Sequence, residues 1–268
     1  MLLLHGWGDT GDTFQFMVDA LKGDLAMVAP DWRGFGRSEW PQEGYWFPDY
    51  FADLDALLDI LSPDQPVRLV GHSMGGNIAN LYAGLRPARV RCVANLEGFG
   101  LPRSSARDAP GRLRKWLDQV KSKPALKDYE SLEQLAGVIR FRYPRFTEAQ
   151  ADFVARAWSE PAAGAPDGAR VRLLGDARHR WVNPVRYLRE DAEACWREVK
   201  APVLMVLGDE SEYLTVLGAD GTDDAFRANI PHVQIAHIPG AGHMLHIEQA
   251  DRVAALVEDF LQAHEPDV

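Results

Sequence analysis

The sequence predicts an α/β fold in which helices cover both faces of a doubly wound, mostly parallel sheet. Short apolar runs alternate along the chain with segments whose apolar residues recur at helical spacing. Such alternation implies parallel strands that are joined by helical crossovers. The alternation stops after residue 100 and resumes at about residue 197. We therefore expect a sheet domain formed by residues 1–100 and 197–268, with residues 101–196 inserted as a helical cap.

The first hundred residues alternate between strand and helix patterns. We expect strands at residues 1–4, 25–29, 67–70 and 90–96, and helices at 13–21, 50–61 and 77–85. A glycine-rich loop, His5-Gly6-Trp7-Gly8, follows the first strand, and a turn at residues 31–38 follows the second. These connections are short, as expected between neighbouring elements of one sheet.

A serine lies between two glycines where the third strand turns into a helix. The segment reads Gly71-His72-Ser73-Met74-Gly75, with Gly76 next. Small residues two before and two after Ser73 allow strand and helix to pack closely, and the sharp turn presents the serine oxygen at the top of the sheet. The pattern is typical of a nucleophile elbow.

The remainder of the chain divides into the predicted cap and the second half of the sheet domain. Within the cap the apolar residues fall at helical spacing and no clear strand is found. The alternation resumes with a strand at residues 202–208, a helix near 223–229, a strand at 233–238 and a final helix at 250–263. The loop Gly240-Ala241-Gly242-His243 follows the last strand.

Composition excludes several classes of protein. The net charge of −10 disfavours nucleic acid and anionic membranes as partners, and no apolar window reaches the length of a membrane span. No signal peptide is evident, so we expect a cytoplasmic protein in which Cys92 and Cys195 pack without a disulfide. Residues 101–190 carry 18 Lys or Arg against 11 Asp or Glu. This basic segment is interpreted either as solvated helix surface or as a cover that attracts an anionic substrate.

A nucleophilic serine needs a base, and the base needs an acid that fixes its tautomer. His243 is the best candidate base, because its glycine-rich loop can bring it over the edge of the sheet. A metal site formed by His243, His246 and Glu248 is the alternative. It is disfavoured, since no second cluster completes such a site, and we expect no metal.

Two strand ends offer candidate acids. Glu97 follows the strand after the elbow helix, and Asp209, Glu210 and Glu212 follow the strand after that one. Both positions give the chain order serine, acid, histidine. The oxyanion hole needs two backbone N–H groups, and we expect them from Met74, next to the nucleophile, and from Trp7 in the first loop.

Taken together, the first loop, the turn at residues 31–38, the elbow and the His243 loop closely resemble the α/β-hydrolase superfamily. The resemblance implies an α/β-hydrolase fold with Ser73 as nucleophile, His243 as base, Trp7 and Met74 as oxyanion donors, and a structural role for the turn. The sequence departs from the common pattern at Ser211, where most members have the catalytic Asp.

Members similar to the haloalkane dehalogenases instead carry the acid at the position that Glu97 occupies, although their nucleophile is Asp. We therefore predict Glu97 as the acid, with Glu212 and then Asp209 as alternatives. The usual first hairpin of the superfamily is also missing, since the chain opens on what resembles the third strand.

These features predict a serine hydrolase that cleaves an ester or related acyl substrate through an acyl-enzyme, with a small-molecule substrate and no cofactor. A carbon–carbon bond hydrolase for an anionic diketo acid, a thioesterase or amidase, and a receptor-like binding protein are the alternatives. Cap aromatics could line the substrate pocket, although most such residues are expected to be core. The candidates are Trp116, Phe141, Trp158 and Trp181.

Overall fold

A computed structural model describes residues 1–122, 124–164 and 170–265 of the chain. Its centre is a five-stranded, all-parallel sheet with the strand order β1-β2-β3-β6-β7, and a two-stranded antiparallel sheet, β4-β5, lies outside it. The strands are β1 Leu2–Leu4, β2 Val67–His72, β3 Val90–Leu96, β4 Ser159–Pro161, β5 Val171–Leu173, β6 Val203–Gly208 and β7 Val233–Ile238.

Helices cover both faces of the parallel sheet, which is the predicted doubly wound arrangement. The α-helices are α1 Gln15–Ala20, α2 Asp49–Leu61, α3 Met74–Leu85, α4 Ala109–Gln119, α5 Leu132–Arg142, α6 Glu148–Ala157, α7 Arg189–Arg197, α8 Glu212–Leu217, α9 Asp223–Asn229, α10 Leu245–Glu248 and α11 Ala250–Gln262. One apolar cluster joins α2, α3, α7 and α9 to one face of the sheet. A second joins α1 and α11 to the other face.

The predicted strand at residues 25–29 is wrong, because the structure reduces it to a single bridge. Val28 accepts a hydrogen bond from the Leu3 N–H at 2.9 Å and donates one to the Met1 carbonyl at 3.0 Å. The bridge pairs Val28 with Leu2 at the edge of the sheet. Pro30 follows directly, and its missing N–H and fixed φ prevent the ladder from extending.

The segment between residues 101 and 196 is mainly helical, as expected, but the expectation that it holds no strand is wrong. β4 and β5 pair antiparallel over three residues each. Runs of three residues carry too little periodicity to be recognised from sequence. At the end of the segment, α7 packs into the core beside α3, and Trp196 is fully buried there.

Much of the positive charge of the segment is neutralised by ion pairs. Arg145 pairs with Glu210, and Arg103 pairs with Asp220 at 3.1 Å, so both connect the basic segment to the acidic sheet domain. Further arginines pair within the segment, as Arg172 does with Glu160 at 2.6 Å. Some of the basic residues therefore connect the segment to the sheet domain. This role differs from both a solvated helix surface and a cover that attracts an anionic substrate.

Cys92 is buried and Cys195 is partly buried, and both are free thiols. None of the described helices combines the length and apolar character that crossing a bilayer requires.

Candidate active site

Ser73 occupies a strained turn between β2 and α3. Its φ of 51° and ψ of −114° are unusual for a residue with a side chain. Its backbone N–H donates to the Leu96 carbonyl at 2.8 Å, which ties the turn to β3. Gly75 is required here, because a Cβ at this position would overlap the carbonyl oxygen of Leu4. The close approach of β1 to the elbow therefore requires a glycine at position 75.

His243 lies in the loop between β7 and α10, within hydrogen-bond distance of the serine. Its Nε2 is 2.9 Å from Ser73 Oγ. The loop is held by Glu248, whose carboxylate accepts a hydrogen bond from the Gly242 N–H at 2.6 Å. Glu248 thus contacts the backbone of the loop, and its role differs from the metal ligand considered from the sequence.

Glu97 lies at the end of β3 with its carboxylate against the other nitrogen of the histidine. Its Oε2 is 3.0 Å from His243 Nδ1, and the side chain is fully buried. The Gly208 N–H donates to Oε1 at 2.7 Å, and the Ser211 hydroxyl donates to Oε2. Three donors thus converge on one buried carboxylate, which satisfies its hydrogen-bonding capacity away from water.

The other candidate acids make different contacts. Asp209 Oδ1 lies 2.9 Å from His237 Nδ1 on the surface. Glu210 pairs with Arg145, and Glu212 is exposed at the start of α8. Among the described residues, the one carboxylate bonded to His243 is that of Glu97.

The first loop approaches the elbow closely on the side expected for the oxyanion. A Cβ at Gly6 would lie 3.2 Å from Ser73 Cβ. His5 fixes this loop, because its Nε2 accepts from the Trp32 N–H at 2.9 Å and its Nδ1–H donates to the Gly6 carbonyl at 2.7 Å. The backbone N–H groups of Trp7 and Met74 have no acceptor within the described part of the chain.

Residues 31–38 form a tight turn that supports this loop. Asp31 accepts hydrogen bonds from the Gly11 and Arg37 N–H groups, each at 2.9 Å. Ser38 Oγ donates back to the Asp31 carbonyl at 2.6 Å. These hydrogen bonds hold the two ends of the turn together.

Asp9, His72 and His246 lie together near the site, and they were not identified as a group from the sequence. His72 Nε2 donates to the His243 carbonyl at 2.8 Å, and the rings of His72 and His246 lie 4.2 Å apart. Burial lowers the pKa of His246 to about 3 and raises the pKa of Asp9 to about 6. Sequence offered one signal for His72, its place beside the nucleophile, and none for Asp9.

Aromatic side chains surround the exposed side of the histidine. Tyr213 lies 4.3 Å and Phe99 6.2 Å from the His243 ring, measured between ring centroids. Trp7 and Tyr213 remain 52% and 40% exposed, so apolar surface is available to a ligand beside Ser73.

Of the four cap aromatics considered as pocket lining, Trp158 instead donates its Nε1–H to Asp9 at 2.6 Å. Phe141 is 91% exposed, and Trp116 and Trp181 are partly buried.

Comparison with known proteins agrees with this arrangement. The model of the α/β hydrolase fold family matches residues 1–250. The chain belongs to this family. The match spans the elbow, the histidine loop and the segment between them, so the family assignment rests on nearly the whole chain.

Several relatives are similar over most of their length. A serine hydrolase-like protein of Danio rerio is 28% identical over 278 residues, covering all of this chain and 82% of the relative. The 2-(acetamidomethylene)succinate hydrolase of Mesorhizobium japonicum is 26% identical, covering 98% of this chain and 88% of the relative. The solved thioesterase domain from the curacin biosynthetic pathway superposes with a TM-score of 0.81 at 26% identity, covering 96% and 89% of the two chains.

Proposed function

We propose that this α/β-hydrolase is a serine hydrolase that cleaves a carboxylic ester or a related acyl substrate through an acyl-enzyme. The observation that carries the proposal is the unbroken hydrogen-bonded series from Ser73 Oγ through His243 to Glu97, at 2.9 and 3.0 Å. A nucleophile, a base and an orienting acid in that geometry are what acyl transfer requires.

In the first step, Ser73 Oγ attacks the acyl carbon while His243 Nε2 takes its proton. Glu97 holds the Nδ1–H of His243 and stabilises the imidazolium that forms. The tetrahedral oxyanion then collapses, the bond to the leaving alcohol breaks, and His243 returns the proton to the alcohol oxygen. The acyl group remains bound to Ser73 as an ester.

In the second step, water attacks the acyl-enzyme with His243 again as the base. The C–O bond to Ser73 breaks, the serine recovers its proton, and the carboxylic acid leaves. In both steps the oxyanion accepts hydrogen bonds from the backbone N–H groups of Trp7 and Met74, which lack other described acceptors. Trp7, Phe99 and Tyr213 supply the apolar contacts to the substrate.

A thioester is the second candidate substrate, and one observation favours it. The similarity to the curacin thioesterase domain includes 26% identity and nearly the full length of both chains. The chemistry is the same apart from the leaving group, which is a thiol. A receptor-like binding protein is the less favoured alternative, because a strained serine turn with a fully paired acid costs stability that binding alone does not require.

The proposal is tested by Ser73→Ala with short p-nitrophenyl esters and simple acyl thioesters as substrates. We expect kcat/KM for hydrolysis to fall by about 10⁴-fold or more, since the nucleophile is lost. Ser122→Ala is the matched control, because Ser122 is an exposed serine whose hydroxyl donates to the Gln119 carbonyl at 2.7 Å.

Labelling with a fluorophosphonate probe adds a readout that does not depend on the substrate chosen. The wild type should be labelled once, at Ser73, and Ser73→Ala should not be labelled. Full activity in Ser73→Ala, or labelling at another serine, would refute the proposed mechanism.

A further inference from the structure

We propose that Asp9, His72 and His246 form a buried site for one divalent metal ion of the zinc type, directly behind the nucleophile elbow. One ligand atom of each residue lies within 4.8 Å of those of the other two. The three side chains are 3%, 2% and 0% exposed. The site is separate from the triad, and the proposal does not depend on the substrate or on hydrolysis.

Three separate parts of the fold bring the ligands together. Asp9 lies in the loop after β1, His72 is the last residue of β2, and His246 lies in α10. The rings of His72 and His246 are inclined at 42° with their centroids 4.2 Å apart, and the Phe14 ring lies 5.3 Å from that of His246. The ligands therefore converge from elements that the core already holds in place.

The polar atoms of this cluster lack the partners that buried groups normally have. Neither ring nitrogen of His246 has a hydrogen-bond partner among the described residues, and the same holds for His72 Nδ1. A buried polar group without a partner destabilises the folded state. A metal ion bound by His72 Nδ1, one ring nitrogen of His246 and the Asp9 carboxylate would provide two of these three nitrogens with a partner.

Two of the three ligands, His72 and Asp9, are oriented by hydrogen bonds as metal ligands usually are. A metal-binding histidine normally donates its other N–H to a carbonyl or carboxylate, and His72 Nε2 donates to the His243 carbonyl at 2.8 Å. This bond puts the lone pair of neutral His72 on Nδ1.

Asp9 is oriented by three donors. Its Oδ1 accepts from Trp158 Nε1–H at 2.6 Å and from the Thr10 N–H at 2.8 Å. Its Oδ2 accepts from the Thr13 hydroxyl at 2.9 Å.

The ligand types select the class of ion. Two imidazoles and one carboxylate suit Zn²⁺ or a similar borderline ion, whereas Mg²⁺ and Ca²⁺ prefer oxygen ligands. The set differs from the His243, His246 and Glu248 grouping, because Glu248 is bonded to the Gly242 N–H and His243 to the triad. Only His246 is common to both.

The site is tested by metal binding to the purified full chain. Protein is freed of metal with a chelator, incubated with ZnCl₂ and passed through a desalting column, and its zinc is measured by inductively coupled plasma mass spectrometry. We expect one equivalent of zinc to be retained by the wild type. We also expect a rise in Tm of about 5 °C at a hundredfold excess over Kd, because the ion binds only the folded state.

The variants His246→Phe and Asp9→Asn should lose the retained zinc and the Tm shift. Phenylalanine fills the ring volume beside Phe14, and asparagine keeps the acceptor for Trp158. Two controls should retain zinc: His237→Gln removes the exposed histidine between Asp209 and Asp223, and His243→Ala removes the triad histidine.

X-ray absorption of the zinc-loaded wild type gives a readout that needs no variant to fold. Two imidazole ligands and at least one oxygen ligand would support the site. The proposal is overturned if the wild type retains no zinc, which would identify the cluster as a metal-free polar site. It is also overturned if zinc is lost in His243→Ala or His237→Gln but kept in Asp9→Asn.

Discussion

The ends of β3 and β6 lie side by side in the sheet but differ in what they place near His243. Leu96 pairs with Val206, so the residues after the two strands reach the same edge. Glu97, after β3, bonds to His243, while Ser211, after β6, contributes a hydroxyl to Glu97. In most relatives the second position would hold the acid.

In this chain the carboxylate next to His243 comes from the end of β3, and a hydroxyl comes from the end of β6. Glu97 Oε2 contacts both Nδ1 of His243 and the Ser211 hydroxyl, so the ends of both strands reach the same carboxylate. Ser211 remains part of the arrangement, because its hydroxyl and the Gly208 N–H both donate to the Glu97 carboxylate. Position 211 thus holds a hydrogen-bond donor to Glu97.

Glu97→Gln is expected to have the largest effect on activity among the variants of the two strand ends. We expect kcat to fall by about 10³–10⁴-fold, because an amide next to Nδ1 favours the wrong histidine tautomer and carries no charge to stabilise the imidazolium. The measurement is kcat and KM with the ester that the wild type cleaves best, together with a thermal melt to show that the variant is folded.

Glu212→Gln is the matched control, since Glu212 is an exposed glutamate that begins α8 after β6. Its activity should stay within about twofold of the wild type, as expected for a surface carboxylate. A severe loss in Glu212→Gln with a mild one in Glu97→Gln would move the acid to the end of β6.

Sequence reasoning predicted most of this site because its signals are local. The elbow, the glycine-rich loop before His243 and the strand end at Glu97 each occupy a few consecutive residues. The strand predicted at residues 25–29 is a single bridge in the structure, and the β4-β5 pair was missed. The extent of such short pairings depends on contacts between distant segments. The convergence of Asp9 with His72 and His246 could not be predicted either, since no spacing in the chain relates a loop after β1 to α10.

A second test moves the carboxylate from position 97 to position 211, where most members of the superfamily have the acid. Glu97→Ala should lose activity, and adding Ser211→Asp should recover about 10–100-fold of it, because the Asp carboxylate would occupy the space that Glu97 Oε2 leaves. The serine oxygen already lies in contact with that Glu97 oxygen, so the distance to be spanned is short. The measurement is kcat for the single and double variants at saturating substrate.

Ser211→Asp in the wild-type background is the control for this rescue, and it should reduce activity, because two carboxylates would then share one buried place. If the double variant is folded by thermal melt but recovers no activity, the end of β6 cannot supply the acid for His243.

The smallest expected effect is that of Ser211→Ala, which keeps the acid and removes one of its donors. Loss of the hydroxyl leaves Glu97 bonded to the Gly208 N–H and to His243, so the carboxylate stays in place. We expect kcat to fall by about three- to tenfold, or about 0.6–1.4 kcal/mol. This is less than the about 1.5–3 kcal/mol of a hydrogen bond to a charged group, because the Gly208 N–H still holds the carboxylate. The variant Ser211→Thr, which retains the hydroxyl, should recover most of the lost activity. A loss in Ser211→Ala as large as that in Glu97→Gln would mean that the two strand ends share the role of the acid, and the contrast between them would not hold.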